Sequence, residues 1–521
     1  MDKIAVKLLK IVFVIASAVA AVLFIGAEIM KLPMNSDSAC MMLEARDILS
    51  GNIFLSDWNL TGISFITTDL PWYILGTAVF GVGLNAFRLS VFLMYIFMAV
   101  CALLPVIYKA EDKFLSYCIF LGLGAIPTVY ALSNAFVHTA GFALSFLLIF
   151  AVQLYNDNPK KSRLAFIIAL CALAVCGDRS SLAVAVVPLI AVSLCGGVNK
   201  PKAVSLGLIS GSAIGFLIEK IFLAPGGAEL NSLSRTSFAV FSDITSNIRI
   251  YIDYFLRLVN SRFFGKELFT LKTGVFALKI IIVLFAFYAI FLSLRSLVRK
   301  EESDIAISAL GIGFLLISLM LFLTTMNSDL TSGRYIAFLP FLLAVTVART
   351  IDISPPKGLF NYALCVLFVL LAVANIMPHG SSFSPENTYS RLSEFLLDEG
   401  LTEGYGAFWD STVVDAYSGG AVHISPVRAG EEGVEPRRWF CKNSWYKGGN
   451  FVVVRREKAD SEEQNYNYNG IFNMHLAPIE QIGGTSEKPF TYDAIIETFG
   501  QPESVLHFEI YDILIYDRIE F

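Results

Sequence analysis

The sequence predicts an α-helical polytopic membrane protein of about 11 crossings that ends in a small C-terminal α/β soluble domain. Three observations predict it. Of 521 residues, 55% are hydrophobic and only 16% are charged, where a soluble globular chain carries about a quarter charged. Mean hydropathy is +0.64, and the apolar runs approach the length of about 20 residues that a helix needs to cross a bilayer core. The charge is also divided. Residues 380–521 hold 23 Asp and Glu against 11 Lys and Arg, a net of −12, and the preceding residues hold 21 acids against 28 bases, a net of +7. A basic membrane part with an acidic tail suits cytoplasmic loops and an exported domain. No basic patch points to nucleic acid.

The N-terminal run, MDKIAVKLLK followed by apolar residues to Gly26, reads as an uncleaved anchor rather than a signal peptide, because its apolar stretch is long. Apolar segments then fall near 69–84, 87–108, 114–131, 135–155, 163–178, 180–196, 203–222, 271–295, 304–325, 336–350 and 359–378. The basic connectors are the N-terminus, 158–163 with Lys160, Lys161 and Arg163, 199–202 and 295–300. The positive-inside rule makes these cytoplasmic. The loops 31–68 and 223–270 and the tail then face outward. Segment 69–84 starts with Pro71 near its head and ends in Gly81-Val82-Gly83, so it reads as a partial helix buried in protein, where irregular backbone is tolerated. That leaves about 11 crossings; a twelfth would put the tail in the cytoplasm.

Residues 1–378 form the membrane domain and 379–521 the tail domain, joined by a hinge-like linker at 381–385. In the tail the period changes: Tyr405–Trp409, Ala421–Val427, Asn450–Arg455 and Phe508–Tyr516 read as strands, and Arg391–Glu399 and Ser411–Tyr417 as helices. The eight cysteines show no metal-binding spacing, and Cys441 stands alone in the tail, so neither a zinc site nor a disulfide scaffold is expected.

The first outward loop follows the first span directly and holds Asp37, Glu44, Asp47 and Asp57, with Asp69 just beyond it. Composition alone reads residues 39–50 as a solvated amphipathic helix with ordinary surface acids. The sharper reading points Asp37 into a cavity at membrane depth, where a carboxylate can act as general base on an acceptor hydroxyl. Four features share that outer face: Asp69-Leu-Pro71-Trp72-Tyr73, His138, Gly177-Asp178-Arg179-Ser180 and Ser332-Gly333-Arg334-Tyr335. Ionisable residues at membrane depth are costly and suggest function, against a plain reading of helix ends snorkelling to the headgroups. For His138 the plain reading is a hydrogen-bonded structural histidine. Arginine suits bidentate phosphate recognition, so Arg179 and Arg334 converging near an acid suggest the phosphate of an anionic lipid.

These residues carry a resemblance. Asp37 after the first span, Glu44, Arg46, Asp47, Leu49 and Gly51 behind it, Asp69-Leu-Pro-Trp-Tyr73 opening the next segment, and Arg334-Tyr335 with Pro340 near the last spans resemble the GT-C membrane glycosyltransferases. The branch they resemble most is that of protein O-mannosyltransferases and aminoarabinose transferases. The tail stretch 404–420 is similar to the C-terminal domain of uncharacterised bacterial members. The likeness covers residues 8–350 loosely and implies a GT-C-like fold in the cell membrane. It also implies transfer of a sugar from a polyprenyl-phosphate donor to a glycan, lipid or protein acceptor of the cell envelope. It makes Asp37 the catalytic base and gives Arg179, Arg334, Tyr335, Asp69, His138 and Glu44 to substrate and lipid phosphate. His138 stands where relatives often have Asp, Asp37-Ser38 where they have Asp-Glu, and Asp69 where they have a basic residue. No cofactor is expected, since neither a P-loop nor a dinucleotide fingerprint occurs; a divalent metal is left open. Two other classes compete: a transporter or flippase of a lipid-linked saccharide, whose internal repeats are not seen here, and a membrane anchor carrying a glycan-binding module.

Overall fold

The computed structural model describes residues 3–231, 236–327, 329–376, 387–456 and 490–521. Both the proposed linker at 381–385 and the domain boundary at 378/379 lie outside the described residues. The membrane part is helical: α1 (Lys3–Ile29), α2 (Ser36–Leu49), α3 (Leu70–Phe80), α4 (Leu84–Ile107), α5 (Lys113–Phe120), α6 (Val129–Ser133), α7 (Thr139–Asp157), α8 (Lys161–Gly177), α9 (Val187–Leu194), α10 (Pro201–Leu223), α11 (Phe241–Leu258), α12 (Leu271–Val298), α13 (Ile305–Leu323), α14 (Leu339–Ile353) and α15 (Leu359–Ile376). Wider π turns continue α5 through Leu121–Ala125 and precede α9 at Leu182–Val186. Among the described residues, eight helical stretches are long and apolar enough to cross a membrane. The chain is therefore a polytopic helical membrane protein with a strand-containing C-terminal region.

The helices assort their side chains as a lipid solvent requires. Isoleucines, leucines and valines of α1, α10, α12 and α15 lie exposed, Leu23 at 68% and Leu284 at 62% among them, which in water would be a large liability. Between α8 and α10 the contact is made by glycine. Gly207, Gly211 and Gly215 follow one another at four-residue steps, and an added Cβ would meet Leu164 Cδ1 at 2.9 Å, Cys171 Cβ at 2.7 Å and the Ala172 carbonyl oxygen at 2.7 Å. Small residues in this pattern let two backbones approach where apolar lipid gives no hydrophobic drive. Gly211→Val is expected to force α10 away from α8 and cost about 1–3 kcal/mol, the usual range for overpacking. A melting temperature in detergent equal to that of the parent would refute this close approach.

Two polar faces cap the bundle. On one, Lys109 pairs with Asp157 at 2.7 Å and Arg349 with Asp304 at 2.7 Å. Asn361 also donates to Asp112 at 2.6 Å. On the opposite face sit residues 31–68 and the tail. The tail sheet has the order β5-β4-β3-β7-β9-β8, built from β3 (Glu403–Ala407), β4 (His423–Ala429), β5 (Val434–Pro436), β7 (Gly449–Arg455), β8 (Ser504–Phe508) and β9 (Tyr511–Ile519). Strand β3 is parallel to both β4 and β7, and the outer pairs are antiparallel. Helices α16 (Thr388–Asp398), α17 (Thr412–Tyr417) and α18 (Tyr492–Phe499) complete the domain. The four strands and two helices expected from the sequence are present; β5, β8 and α18 are additional.

A second, three-stranded sheet stitches the tail to the membrane part. In it β1 (Trp58–Leu60) runs parallel to β2 (Glu229–Leu230) and antiparallel to β6 (Cys441–Lys442). Residues from loop 31–68, loop 223–270 and the tail therefore lie on one face. The turn after α3 is on that face too, because Gly83 and Val82 approach Ala416 and Gly419 of the tail. Since α3 begins beside loop 58–68 and ends against α17, it does not cross the bundle. It is a short helix, as the sequence suggested, but it is not enclosed by protein as expected, since Leu75, Val79 and Phe80 are exposed.

Candidate functional site

The cluster on the face that carries the tail starts from the cap of α2. Asn35 and Ser38 form a reciprocal capping box, with the Ser38 N–H donating to Asn35 Oδ1 at 3.0 Å and the Asn35 N–H donating to Ser38 Oγ at 3.2 Å. This fixes the helix start and sets Asp37 in the first turn, where free N–H groups favour a carboxylate. The expected solvated helix is not what forms: Ser36 through Ala45 are all buried. The tail supplies the cover, through Cys40 Sγ donating to the Phe440 carbonyl at 3.2 Å and Thr412 Oγ1 donating to the Ser36 carbonyl at 3.4 Å. Lys442 meets Asp47 Oδ2 at 2.7 Å, and Trp58 and Asn52 also donate to that oxygen. Asp57 accepts from the Ser444 N–H at 3.0 Å. Two of the loop acids, Asp47 and Asp57, thus serve the seam between domains.

Asp37 does something else. It is 9% exposed, its Oδ2 is 3.9 Å from Arg334 Nη1, and its Oδ1 is buried with no hydrogen-bond partner. Burial pushes its carboxyl above the usual range; Arg334, then Arg437 and His138, pull it down, while Asp329 opposes them. Arg334 stands in a tight turn, Leu330–Ile336, whose start Asp329 caps by accepting from the Thr331 N–H at 2.7 Å. Gly333 is needed there, because an added Cβ would fall 2.1 Å from Tyr130 Oη. The Arg334 guanidinium lies 5.1 Å from the Tyr335 ring and its Nη2 is 3.4 Å from Tyr335 Oη.

His138 comes to the same place from another element. It occupies the left-handed backbone region (φ +64°) just before α7, an uncommon conformation for a bulky residue and one associated with functional sites. Its Nδ1 is 2.9 Å from Asp178 Oδ2, and its ring is 5.2 Å from Tyr335 and 5.4 Å from Phe65. Asp178 is fully buried and accepts from the Ser180 N–H at 2.9 Å. Gly141 leaves room for this aspartate, since a Cβ there would meet Asp178 Oδ2 at 2.5 Å. Asp69 lies behind the dyad, fully buried, its Oδ1 accepting from the Ala140 N–H at 3.2 Å and its Oδ2 unpartnered. Its carboxyl is pushed up to about 7, by burial first and then by Asp178, with His138 opposing.

Of the residues expected at the site, Asp37, Arg334, Tyr335 and His138 come together, with Asp69 one layer behind. Arg179 has a different partner. Its Nη2 is 2.9 Å from Glu219 Oε2 on α10, its guanidinium lies 5.8 Å from the Phe216 ring, and its side chain is 42% exposed. The second arginine acting on Asp37 is Arg437 of the tail, held 4.9 Å from the Phe408 ring and 5.3 Å from that of Trp439. Sequence reasoning missed it. The available signal was Arg437-Arg438-Trp439-Phe440, a basic pair with two aromatics in a domain otherwise rich in acid. Among the described residues, no three of His, Cys, Asp and Glu gather to hold a metal ion.

Glu44 stands two turns along α2 from Asp37, 1% exposed, with Oε2 buried and unpartnered. Burial, reinforced by Asp47, pushes its carboxyl well above the usual range. An acid raised in the folded state binds more protons folded than unfolded. Its favourable contribution is therefore complete below the unfolded value of about 4.3 and is lost as pH rises through the folded value. The parent should lose stability as pH rises above the usual carboxylate range, and Glu44→Gln should flatten that slope. Parallel melting curves across this range would show that Glu44 ionises without penalty.

Comparison with models of known protein families gives no match, and comparison with curated proteins gives none. The functional reading rests on the site itself.

Proposed function

We propose that this chain is a membrane glycosyltransferase, which moves a sugar from a polyprenyl-phosphate donor to an extracytoplasmic acceptor of the cell envelope. One observation carries the reading: a buried carboxylate, Asp37, with an unpartnered oxygen, set 3.9 Å from Arg334 on the polar face of a helical bundle. Group transfer from a lipid phosphate calls for this pairing. The carboxylate takes the proton of the acceptor hydroxyl as that oxygen attacks the anomeric carbon. The sugar–oxygen bond breaks, and the phosphate leaves with growing negative charge that Arg334 and Arg437 stabilise. His138, oriented by Asp178, borders the same space and can hold a sugar or phosphate oxygen.

The fold supports the reading through its topology. On this reading the eight long helices together with residues 113–125, α8 and residues 182–194 make 11 crossings, and the basic connectors put the N-terminus inside and the tail outside. The basic connectors then fall on the face opposite to Asp37. A phosphatase fused after Phe521 should be active outside the cytoplasm. Activity confined to the cytoplasm would put Asp37 on the wrong side for a donor presented in the outer leaflet.

The direct test uses purified protein with radiolabelled polyprenyl-phosphate sugars and envelope acceptors. Transfer of label is expected. Movement of the lipid-linked sugar across a vesicle membrane without transfer would favour a flippase instead.

A further inference from the structure

The outer ends of α5, α12, α14 and α15 and the loop after α11 line a small recess that is open on one side. Its walls are mostly apolar, Leu258, Ile282 and Pro340 among them, but Thr128, Asn260, Lys279 and Asn375 also line it. Lys279 is only 5% exposed and sits eight residues into α12. Its ammonium donates to Asn375 Oδ1 and, at 3.5 Å, to the carbonyl of Asn260. Asn260 reaches this place through a left-handed backbone (φ +51°) and also donates to Asn375 Oδ1 at 3.2 Å. No carboxylate among the described residues forms an ion pair with Lys279.

An ammonium has three donors, and neutral amide oxygens take two of them here. A cation at membrane depth that no acid neutralises is costly, and such a residue marks a place where an anion can bind. Thr128 adds a hydroxyl whose oxygen accepts from the Ala131 N–H at 2.9 Å, leaving its proton to donate. The surroundings say what kind of anion fits. Next to Asn260 the chain presents Phe264 at 60%, Leu268 at 73% and Phe269 fully exposed. Along α12 on either side of Lys279, Leu271, Ile281 and Leu284 are exposed as well. A charged recess on a helix whose exposed flank is apolar is the complement of an amphiphile.

We propose that this recess binds the phosphate-bearing head group of a lipid, with Lys279 as its counter-charge and Thr128 as a second donor, while the acyl or prenyl chain lies against α12. This site is separate from the Asp37 cluster and does not depend on the transferase reading.

The test uses the full chain in maltoside detergent, with dodecyl phosphate as probe, inorganic phosphate as control, and thermal unfolding as readout. Dodecyl phosphate should raise the melting temperature of the parent and of Arg334→Ala, which lacks the donor-site cation, alike. Inorganic phosphate at the same concentration should not. Lys279→Met is compared in that Arg334→Ala background. In Lys279→Met the apparent affinity for dodecyl phosphate should fall by about tenfold or more, as expected when a buried charge partner is removed. Equal protection of Lys279→Met would overturn the proposal, and so would equal protection by inorganic phosphate, which would mark a site for free anion. Should Lys279→Met fail to fold, acylation of Lys279 in the parent decides by mass spectrometry. Dodecyl phosphate should slow that labelling, and an unchanged rate overturns the site. Neither readout uses sugar transfer, so failure here and failure of the transferase reading are distinguishable.

Discussion

Turnover by the Asp37→Asn variant is expected to fall by about 10²–10⁴ relative to the parent, the usual loss when a general base is removed. The substitution keeps the size of the side chain and its ability to accept a hydrogen bond. It removes the charge that faces Arg334 at 3.9 Å. Folded yield should persist, because the α2 cap belongs to Asn35 and Ser38 and the helix is covered by tail contacts that Asp37 does not make. Donor binding should persist as well, since the positive groups are untouched. The raised carboxyl of Asp37 brings its ionisation closer to neutrality than an exposed aspartate, where a base accepts a proton more readily. The acid limb of the parent pH–rate profile should therefore lie above the ordinary aspartate range. Radiolabelled polyprenyl-phosphate sugars give the measurement. Turnover near that of the parent, at equal protein level, would make Asp37 a structural acid. Asp69, pushed up to about 7, would then be the next residue to replace.

Much of the membrane part could be read from the sequence because its signal is local. A run of apolar residues reports its own environment, so the helices from α4 to α15 fall close to the expected segments except α11, an 18-residue helix within the stretch 223–270 that was expected to be an outer loop. The Gly-Val-Gly end of α3 likewise reports its stop. The tail strands β3, β4, β7 and β9 were legible from short runs bounded by turn residues. The seam between domains was not. Strands β1, β2 and β6 have three, two and two residues, too few for any period to show. Their pairing joins Asn59 to Glu229 and Trp58 to Lys442, far apart in the chain.

The same cause explains the misreading of α2. Its spacing of Asp37, Glu44 and Asp47 looks like a solvated face, and only the tail lying over Cys40 and Ser36 turns that face inward. Arg437 carried a local signal in Arg437-Arg438-Trp439-Phe440, but its relation to Asp37 is created by the seam and could not be read. Arg179 shows the converse limit. Its position after a span marked it for the site, but nothing local to residues 177–180 revealed that Glu219 of α10 would take its charge. Loops can be placed on a face from the sequence, but which charges meet there is decided by long-range packing.

Replacing Arg334 should be nearly as damaging as replacing Asp37, but with a different signature. On the proposed reaction Arg334→Ala removes the cation assigned to the phosphate leaving group, and loss of one such group costs about 10²–10³ in turnover. It also removes the largest lowering influence on the Asp37 carboxyl. The sign of the second effect follows directly. The base works ionised, Arg334 favours the ionised form, and without it a higher pH is needed to ionise Asp37. The acid limb of the pH–rate profile should shift to higher pH in Arg334→Ala. Arg334→Lys keeps the charge near Asp37 but loses the planar fork that can bind two phosphate oxygens. Its limb should stay close to that of the parent while its turnover still falls. Arg437→Ala acts on Asp37 as the second influence and should shift the limb in the same direction by less. An unshifted limb in Arg334→Ala, with turnover reduced, would mean that Arg334 serves the donor without tuning the base. A parent-like rate in both Arg334 variants would remove it from the site.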